Sequence, residues 1–305
     1  MRKAAPYRAT HRCGPLTSVS SQFLLWNETL KTIDETLEAE FALRHRHPER
    51  EEIYDGHKRR SAMLRAGGDC RLDVRYGDGP RCLLDIFPAG DDAPVLLFIH
   101  GGYWRALDKS YVSFIAEPYQ RAGITVVMPG YGLAPSIRIG GIVDQIRTAF
   151  AWVVDRIAHE RIVVAGHSAG GQLAAMLALD QAERGSGPIG GLAGISGAFD
   201  LRPLLRTSIN VDLTMSVEEA EAASPLFRLQ SLPAAARLVP LLAIVGGDET
   251  QGFKGWTADL VSGWRARGAT ASMNELAGRS HFTILDALAE SDGEIFRAIC
   301  QLAKG

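Results

Sequence analysis

The stretch RIVVAGHSAGGQLAAMLALD, residues 161–180, decides the fold. It opens with an apolar, β-branched run, breaks at Gly166, and continues into alanine- and leucine-rich sequence with helical character. Between the two lies Gly166-His167-Ser168-Ala169-Gly170, which fits G-x-S-x-G. Glycines on both sides permit a tight strand-to-helix turn that a Cβ would obstruct, and such a turn lifts a serine hydroxyl clear of a sheet at a helix N-terminus. The spacings of GxGxxG and of the Walker A loop are absent, so a phosphate-binding turn is the poorer reading. His167 is expected to leave the turn on the side opposite the Ser168 hydroxyl and to pack or hydrogen-bond beneath it.

Working outward, strand-like and helix-like runs alternate. APVLLFIHGG precedes a helix expected over SYVSFIAEPYQRAG, and ITVVMPG precedes one over IGGIVDQIRTAFAWVVDRIAHE. Downstream come IGGLAGISG, VPLLAIVGGDE, a helix over GWTADLVSGWRARG, a short strand in ATASMNELAG and a final helix to the C-terminus. Runs that are apolar throughout are expected of parallel strands covered on both faces, so the class is α/β with a mostly parallel, doubly wound central sheet. DCRLDVRYG and RCLLDIFPAG, separated by DGP, predict a hairpin that leads the sheet. About residues 198–235 interrupt the alternation with short amphipathic pieces and predict a small lid insertion. Residues 1–66 read as an N-terminal helical segment packing on or near the active site, followed by a main domain over 67–305. Within it, one or two helices are expected over about 17–66, broken around Pro48, with Phe23, Leu24, Ile33, Leu37 and Phe41 near helical spacing.

Composition narrows the function classes. The chain has 305 residues, 46% hydrophobic and 22% charged, with a formal net charge of -2. That balance suits a globular protein with no bulk attraction to a polyanion. The basic patches RHRHPER and HKRR are interleaved with acids and read as solvated helix faces. A small-molecule substrate is therefore expected, with no nucleic acid and no membrane as partner; a homodimer is left open. Cys13, Cys70, Cys82 and Cys300 show no CxxC pair, which predicts free thiols and a cytoplasmic location. Cys70 and Cys82 could face each other across the hairpin, with a disulfide the lesser reading. No apolar leader or spanning run is seen. No HxxxH or clustered acids imply a metal, and no cofactor is expected.

A serine needs a base, and the base needs an orienting acid. Serine hydrolases with a strand-turn-helix nucleophile run in chain order serine, acid, histidine, with the acid after a late strand. Asp248 follows LVPLLAIVGG, and His281 sits in LAGRSHFTILD before the last helix. The expected triad is Ser168, Asp248 and His281; Glu249, adjacent, and Asp286, inside the helix, are the rival acids. Acyl transfer also needs N–H donors for the oxyanion. FIHGGYWRALDKS, residues 98–110, places two glycines after a buried strand, and Gly102, Tyr103 and Ala169 are the expected donors, with His100 anchoring the loop. Tyr103 and Trp104 are read as substrate-binding residues that crowd a long acyl chain and offer an aromatic surface to stack on.

HGGYW, GHSAGG, GGDE and SHFTILD together resemble the kynurenine formamidase (arylformamidase) branch of the α/β-hydrolase superfamily, near the hormone-sensitive-lipase-like esterases. The resemblance runs from about residue 70 and extends to INVDLTMSVEEAEAASPLFRL as a cap. It implies an α/β-hydrolase fold, a triad of Ser168, Asp248 and His281, and the HGGYW loop as oxyanion hole. It implies hydrolysis of a small acyl group, such as the formyl of N-formylkynurenine. Two alternatives stay open: a carboxylesterase for short acyl esters, and a non-catalytic ligand-binding member of the fold.

Overall fold

The computed structural model describes residues 32–159, 161–185 and 187–305. The hairpin expected at the start of the sheet is β1 (Arg71–Arg75) and β2 (Leu83–Phe87), paired antiparallel with one irregularity in register. Six further strands follow: β3 (Val95–Ile99), β4 (Thr125–Pro129), β5 (Ile162–His167), β6 (Ile189–Ile195), β7 (Leu241–Gly246) and β8 (Ala271–Leu276). Their spatial order is β1-β2-β4-β3-β5-β6-β7-β8, with β2 antiparallel to β4 and every later pair parallel. β3, β4, β5 and β7 are buried at every residue, as expected of parallel strands covered on both faces. The outermost strands are less covered: β1 alternates between exposed and half-buried residues, and β8 has only Ala271 buried.

Eleven α-helices surround the sheet among the described residues. In chain order they are α1 (Glu35–Phe41), α2 (Arg50–Gly67), α3 (Ala116–Arg121), α4 (Ile139–Arg156), α5 (Ala169–Arg184), α6 (Asn210–Leu213), α7 (Val217–Ala222), α8 (Pro225–Ser231), α9 (Gln251–Ala266), α10 (Ile284–Leu288) and α11 (Glu294–Lys304). The core divides into two apolar clusters, one on each face. One packs α4, α5 and α9 against the sheet, and the other packs α3, α10 and α11.

Three expectations are corrected here. The helix expected over SYVSFIAEPYQRAG is two 3-10 turns followed by the short α3. Pro118 has no N–H to give the carbonyl four residues back, so a regular α-helix cannot run through Phe114. The final helix is two, α10 and α11, parted at Ala289–Gly293 where Gly293 caps α11 with extended backbone. Ile33, counted among the helical apolar positions, lies before α1 and is 51% exposed.

The break near Pro48 is present: α1 is followed by a 3-10 turn at Leu43–His45, and α2 begins at Arg50. Asp34 caps α1 by accepting from the N–H groups of Thr36 and Leu37. Phe23, Leu24 and Cys13 lie outside the described residues. Cys70, Cys82 and Cys300 are free thiols. Among the described residues, no helix is long and apolar enough to cross a membrane.

Candidate active site

The site forms where the C-terminal ends of β3, β5 and β7 come together. β5 runs straight into α5, and Ser168 at the junction has φ 56° and ψ -119°. A non-glycine residue held there costs about 1–3 kcal/mol, a strain the packing must maintain. The glycines explain how. A Cβ on Gly166 would lie 2.1 Å from the Gly170 carbonyl oxygen, and one on Gly170 would lie 2.0 Å from that of Ile99. The turn therefore closes only with bare backbone at both positions, and closing it brings α5 against the end of β3.

That end of β3 carries the HGGYW loop. A Cβ on Gly101 would stand 3.0 Å from the Cβ of Ser168, so the loop passes directly beside the serine. Gly102 turns with φ +113°, and Tyr103, Trp104 and Leu107 all occupy left-handed backbone. Such a run is unfavourable for residues with side chains and has to be braced. Tyr131 supplies one brace, donating its hydroxyl to the His100 carbonyl at 2.8 Å and stacking on the His100 ring at 4.2 Å. His100 Nδ1–H donates in turn to the Gly101 carbonyl at 2.8 Å, which is the anchoring expected of it. Burial pushes the His100 pKa down to about 4, so the ring is neutral at physiological pH. Arg81 supplies a second brace, donating to the carbonyls of Tyr131 and Leu107. Among the described residues, the N–H groups of Gly102, Tyr103 and Ala169 donate to no protein acceptor.

The acid differs from the expectation. His281 Nδ1–H donates to Glu249 Oε2 at 2.7 Å, whereas the neighbouring Asp248 side chain is exposed to solvent. The turn after β7 decides between them. Gly247 and Asp248 donate their N–H groups to the carbonyls of Leu276 and Arg279, and Glu249 closes back on the Gly246 carbonyl. This points residue 248 outward and folds residue 249 beneath the turn, where the longer glutamate reaches the imidazole. Its second oxygen, Oε1, accepts from Ser196 Oγ at 2.5 Å and from the Gly246 N–H at 2.7 Å. Three donors thus hold a fully buried carboxylate, which suits an ionised group. The other rival, Asp286, accepts from His57 Nε2–H at 3.1 Å and from Arg60, away from His281.

His281 is buried, flanked by Phe253 and Phe282 at 4.6 and 5.6 Å between ring centres. Its Nε2, opposite the carboxylate-bound nitrogen, belongs to a ring on the same cavity wall as Ser168. His167 hydrogen-bonds as expected, through Nε2–H to the His281 carbonyl at 2.9 Å, but it lines the cavity too instead of lying beneath the turn. Burial, helped by the nearby His281, holds its pKa well below the ordinary value, so a neutral imidazole buttresses His281.

Ser168, His281, Gly101, Gly102 and Tyr103 face one largely enclosed cavity of about 60 Å³. A chemical group of a few heavy atoms fits that volume. A nucleophile on a strained turn, an imidazole oriented by a carboxylate, and free backbone donors facing a small cavity are the components of acyl transfer.

A model of the alpha/beta hydrolase fold matches residues 96–285. The chain belongs to the α/β-hydrolase family. The kynurenine formamidase of Danio rerio is 30% identical over 227 residues, covering 72% of this chain and 78% of that protein. That of Salmo salar is 29% identical, covering 76% and 81%. A protein of rice named as a probable isoprenylcysteine alpha-carbonyl methylesterase is 31% identical over a shorter stretch, 57% of this chain and 46% of that protein. Among solved structures, a Silicibacter protein provisionally assigned as a thioesterase superposes with a TM-score of 0.72 at 30% identity, covering 84% of this chain and 94% of that one.

For an α/β hydrolase, two further expectations need correction. Trp104 does not reach the cavity. It is fully buried, and its indole N–H donates to Gln172 Oε1 at 3.0 Å, so it is a structural link between the loop and α5. Tyr103 does line the cavity, with its hydroxyl donating to the Phe41 carbonyl at 2.5 Å. The patches RHRHPER and HKRR are not wholly solvated either, since Arg44 and His57 line the same cavity. The missed signal is periodic: Ile53, His57, Ser61 and Leu64 recur at helical spacing and form the covered face of α2.

Proposed function

We propose that this α/β hydrolase removes a small acyl group from an arylamine, with an aryl formamide such as N-formylkynurenine as its substrate. The observation that carries the reading is the enclosed cavity of about 60 Å³ at Ser168, which admits formyl or acetyl and excludes a long chain. Its similarity to the kynurenine formamidases of Danio rerio and Salmo salar supports the same substrate class.

Ser168 Oγ attacks the formyl carbon while His281 Nε2 takes its proton. Glu249 keeps Nδ1–H in place and stabilises the imidazolium that forms. The N–H groups of Gly102, Tyr103 and Ala169 receive the developing oxyanion, the last at the positive end of α5. His281 then returns the proton to the leaving arylamine, an obligatory step because an amide nitrogen leaves only when protonated. Water then attacks the formyl-serine ester and gives its proton to His281, which returns it to Ser168 Oγ as that bond breaks and formate leaves. The free thiols Cys70, Cys82 and Cys300 support a cytoplasmic setting for the reaction.

The test is kcat/KM across formyl, acetyl, butyryl and octanoyl acyl groups, in an anilide series and an aryl ester series. Expected is hydrolysis of the formanilide, with a sharp fall beyond butyryl in both series. Best activity on octanoyl esters with inert formanilides would sink the reading. A second reading, a short-chain carboxylesterase, is favoured by similarity to the rice methylesterase and would appear as short-acyl ester hydrolysis with inert anilides.

A further inference from the structure

The cavity wall facing away from the triad has a consistent chemical character. It contains no aspartate or glutamate, and two of the polar side chains that the α1–α2 segment brings to it make no hydrogen bond among the described residues. Arg44 lines the cavity from the 3-10 turn between α1 and α2, and its guanidinium makes no ion pair or hydrogen bond among the described residues. The neighbouring arginines differ: Arg46 donates to the Ala39 carbonyl, Arg50 pairs with Glu51, and Arg60 pairs with Asp286. Tyr54, on α2, presents a hydroxyl that likewise has no partner among the described residues. Burial pushes its pKa up to about 12, so it remains a neutral O–H donor. The third polar group on this wall, His57, is committed through Nε2 to Asp286. Phe282 packs edge-on against both Tyr54 and His281, at 5.6 Å between ring centres in each case, so aromatic surface joins this wall to the catalytic side.

We propose that Arg44 and Tyr54 form a carboxylate-binding subsite, so that the preferred substrate is an aromatic acyl compound carrying an anionic group remote from the scissile bond. A guanidinium and a phenol both donate hydrogen bonds and neither accepts one from an anion, whereas an ammonium at the same place would find a cation and no counter-charge. In an amino-acid substrate the acyl group sits in the cavity at Ser168, the ring extends out of it past Phe282, the carboxylate meets Arg44, which is exposed to solvent, and the ammonium faces solvent. The subsite rests on Ser168 being the nucleophile of a small-acyl hydrolase, but not on the acyl bond being an amide.

The experiment measures kcat/KM for two matched pairs: N-formylkynurenine against formanilide, and 3-acetoxybenzoate against phenyl acetate. The readout is the ratio within each pair. In Arg44→Ala the ratio should fall about tenfold or more, carried by KM, because a charge-assisted hydrogen bond is lost. Arg44→Lys should restore part of it, Arg44→Glu should lower it further, and Tyr54→Phe should lower it about threefold. An unchanged ratio in Arg44→Ala, with native circular dichroism, overturns the subsite. If both formamides are inert while the ester pair still responds to Arg44, the subsite stands and the formamide reading falls.

Discussion

Two regions outside the parallel sheet flank the HGGYW loop, and they do different work. The segment from α1 to α2 reaches the cavity: Leu43, Arg44, Tyr54 and His57 all line it. The insertion between β6 and β7, expected as a lid, contributes none of the cavity's lining residues and supports the loop from the other side. Arg105 in the loop pairs with Asp212 of α6 at 2.7 Å, and Gln172, which holds Trp104, donates to the Ala223 carbonyl just after α7 at 2.8 Å. On the first side, Tyr103 is tied to Phe41 at the end of α1. One strained loop is therefore clamped between a segment that shapes the substrate space and an insertion that only braces it.

The difference teaches that a cap is identified by where its side chains point. Short amphipathic pieces after a late strand looked like a cover, yet they bury their apolar residues, Leu204, Leu213, Ala220 and Leu229, in the core under α5 and α9. The helices before the sheet lean over the C-terminal ends of the strands because α2 docks on the turns that follow the loop. Ser61 Oγ donates to the Tyr111 carbonyl at 3.0 Å and accepts from the Phe114 N–H at 3.1 Å.

The largest expected effect tests the proposed triad of Ser168, Glu249 and His281. Glu249→Gln should lower kcat by about a thousandfold, because the imidazole loses the charge that orients it and stabilises its protonated form. Asp248→Asn should stay within about threefold. A collapse of turnover in the Asp248 variant with an active Glu249 variant would reverse the assignment.

A smaller effect separates the two clamps. Tyr103→Phe removes the tie to α1, and kcat should fall about threefold to tenfold, the worth of one hydrogen bond. If steady-state rates on a short acyl ester are unaffected, the α1 side does not hold the loop and the contrast between the two regions weakens.

Acidification probes how each region is pinned. Burial pulls the Asp286 carboxyl upward, but hydrogen bonds from His57 and Arg60 outweigh it and hold the pKa below the ordinary value. For an acid depressed in the folded state, the stabilisation is present above the unfolded pKa of about 3.9 and is lost as pH falls through the folded one. Asp286→Asn should thus lower Tm by about 2 °C near pH 7, discounted for partial exposure, with the gap to the wild type narrowing as pH falls below about 3.9. Asp180 pins the insertion similarly, held below the ordinary range, against its own burial, by Arg147 and Arg228 of α8. A gap for Asp286→Asn that does not narrow at all on acidification would mean that the pair is not what fastens α2.

The smallest effect belongs to the insertion. Asp212→Asn weakens a bridge whose carboxylate is about half exposed, and activity should change by no more than about twofold. A tenfold loss in kcat/KM would show that the insertion governs the cavity after all, and the contrast would break.

By itself, the sequence determined the parts of the molecule that are local in character. Continuous apolar runs specify parallel strands because both faces of such strands are covered, and the turn at Gly166–Gly170 specifies where β5 hands over to α5, because only glycine allows that approach. The places of Ser168 on that turn and of the HGGYW loop at the end of β3 were legible for the same reason. Only the tertiary structure decided among neighbours whose distinction is directional. Asp248 and Glu249 are adjacent acids of one charge, and the choice rests on hydrogen bonds from the turn to Leu276 and Arg279 that send one side chain out and the other under. Trp104 and Tyr103 are adjacent aromatics in left-handed backbone, yet Trp104 satisfies its N–H on Gln172 in the core while Tyr103 donates its hydroxyl to the Phe41 carbonyl at the end of α1. The partners of these residues lie 62 and 68 positions away along the chain, and no local pattern encodes a direction set by contacts that distant.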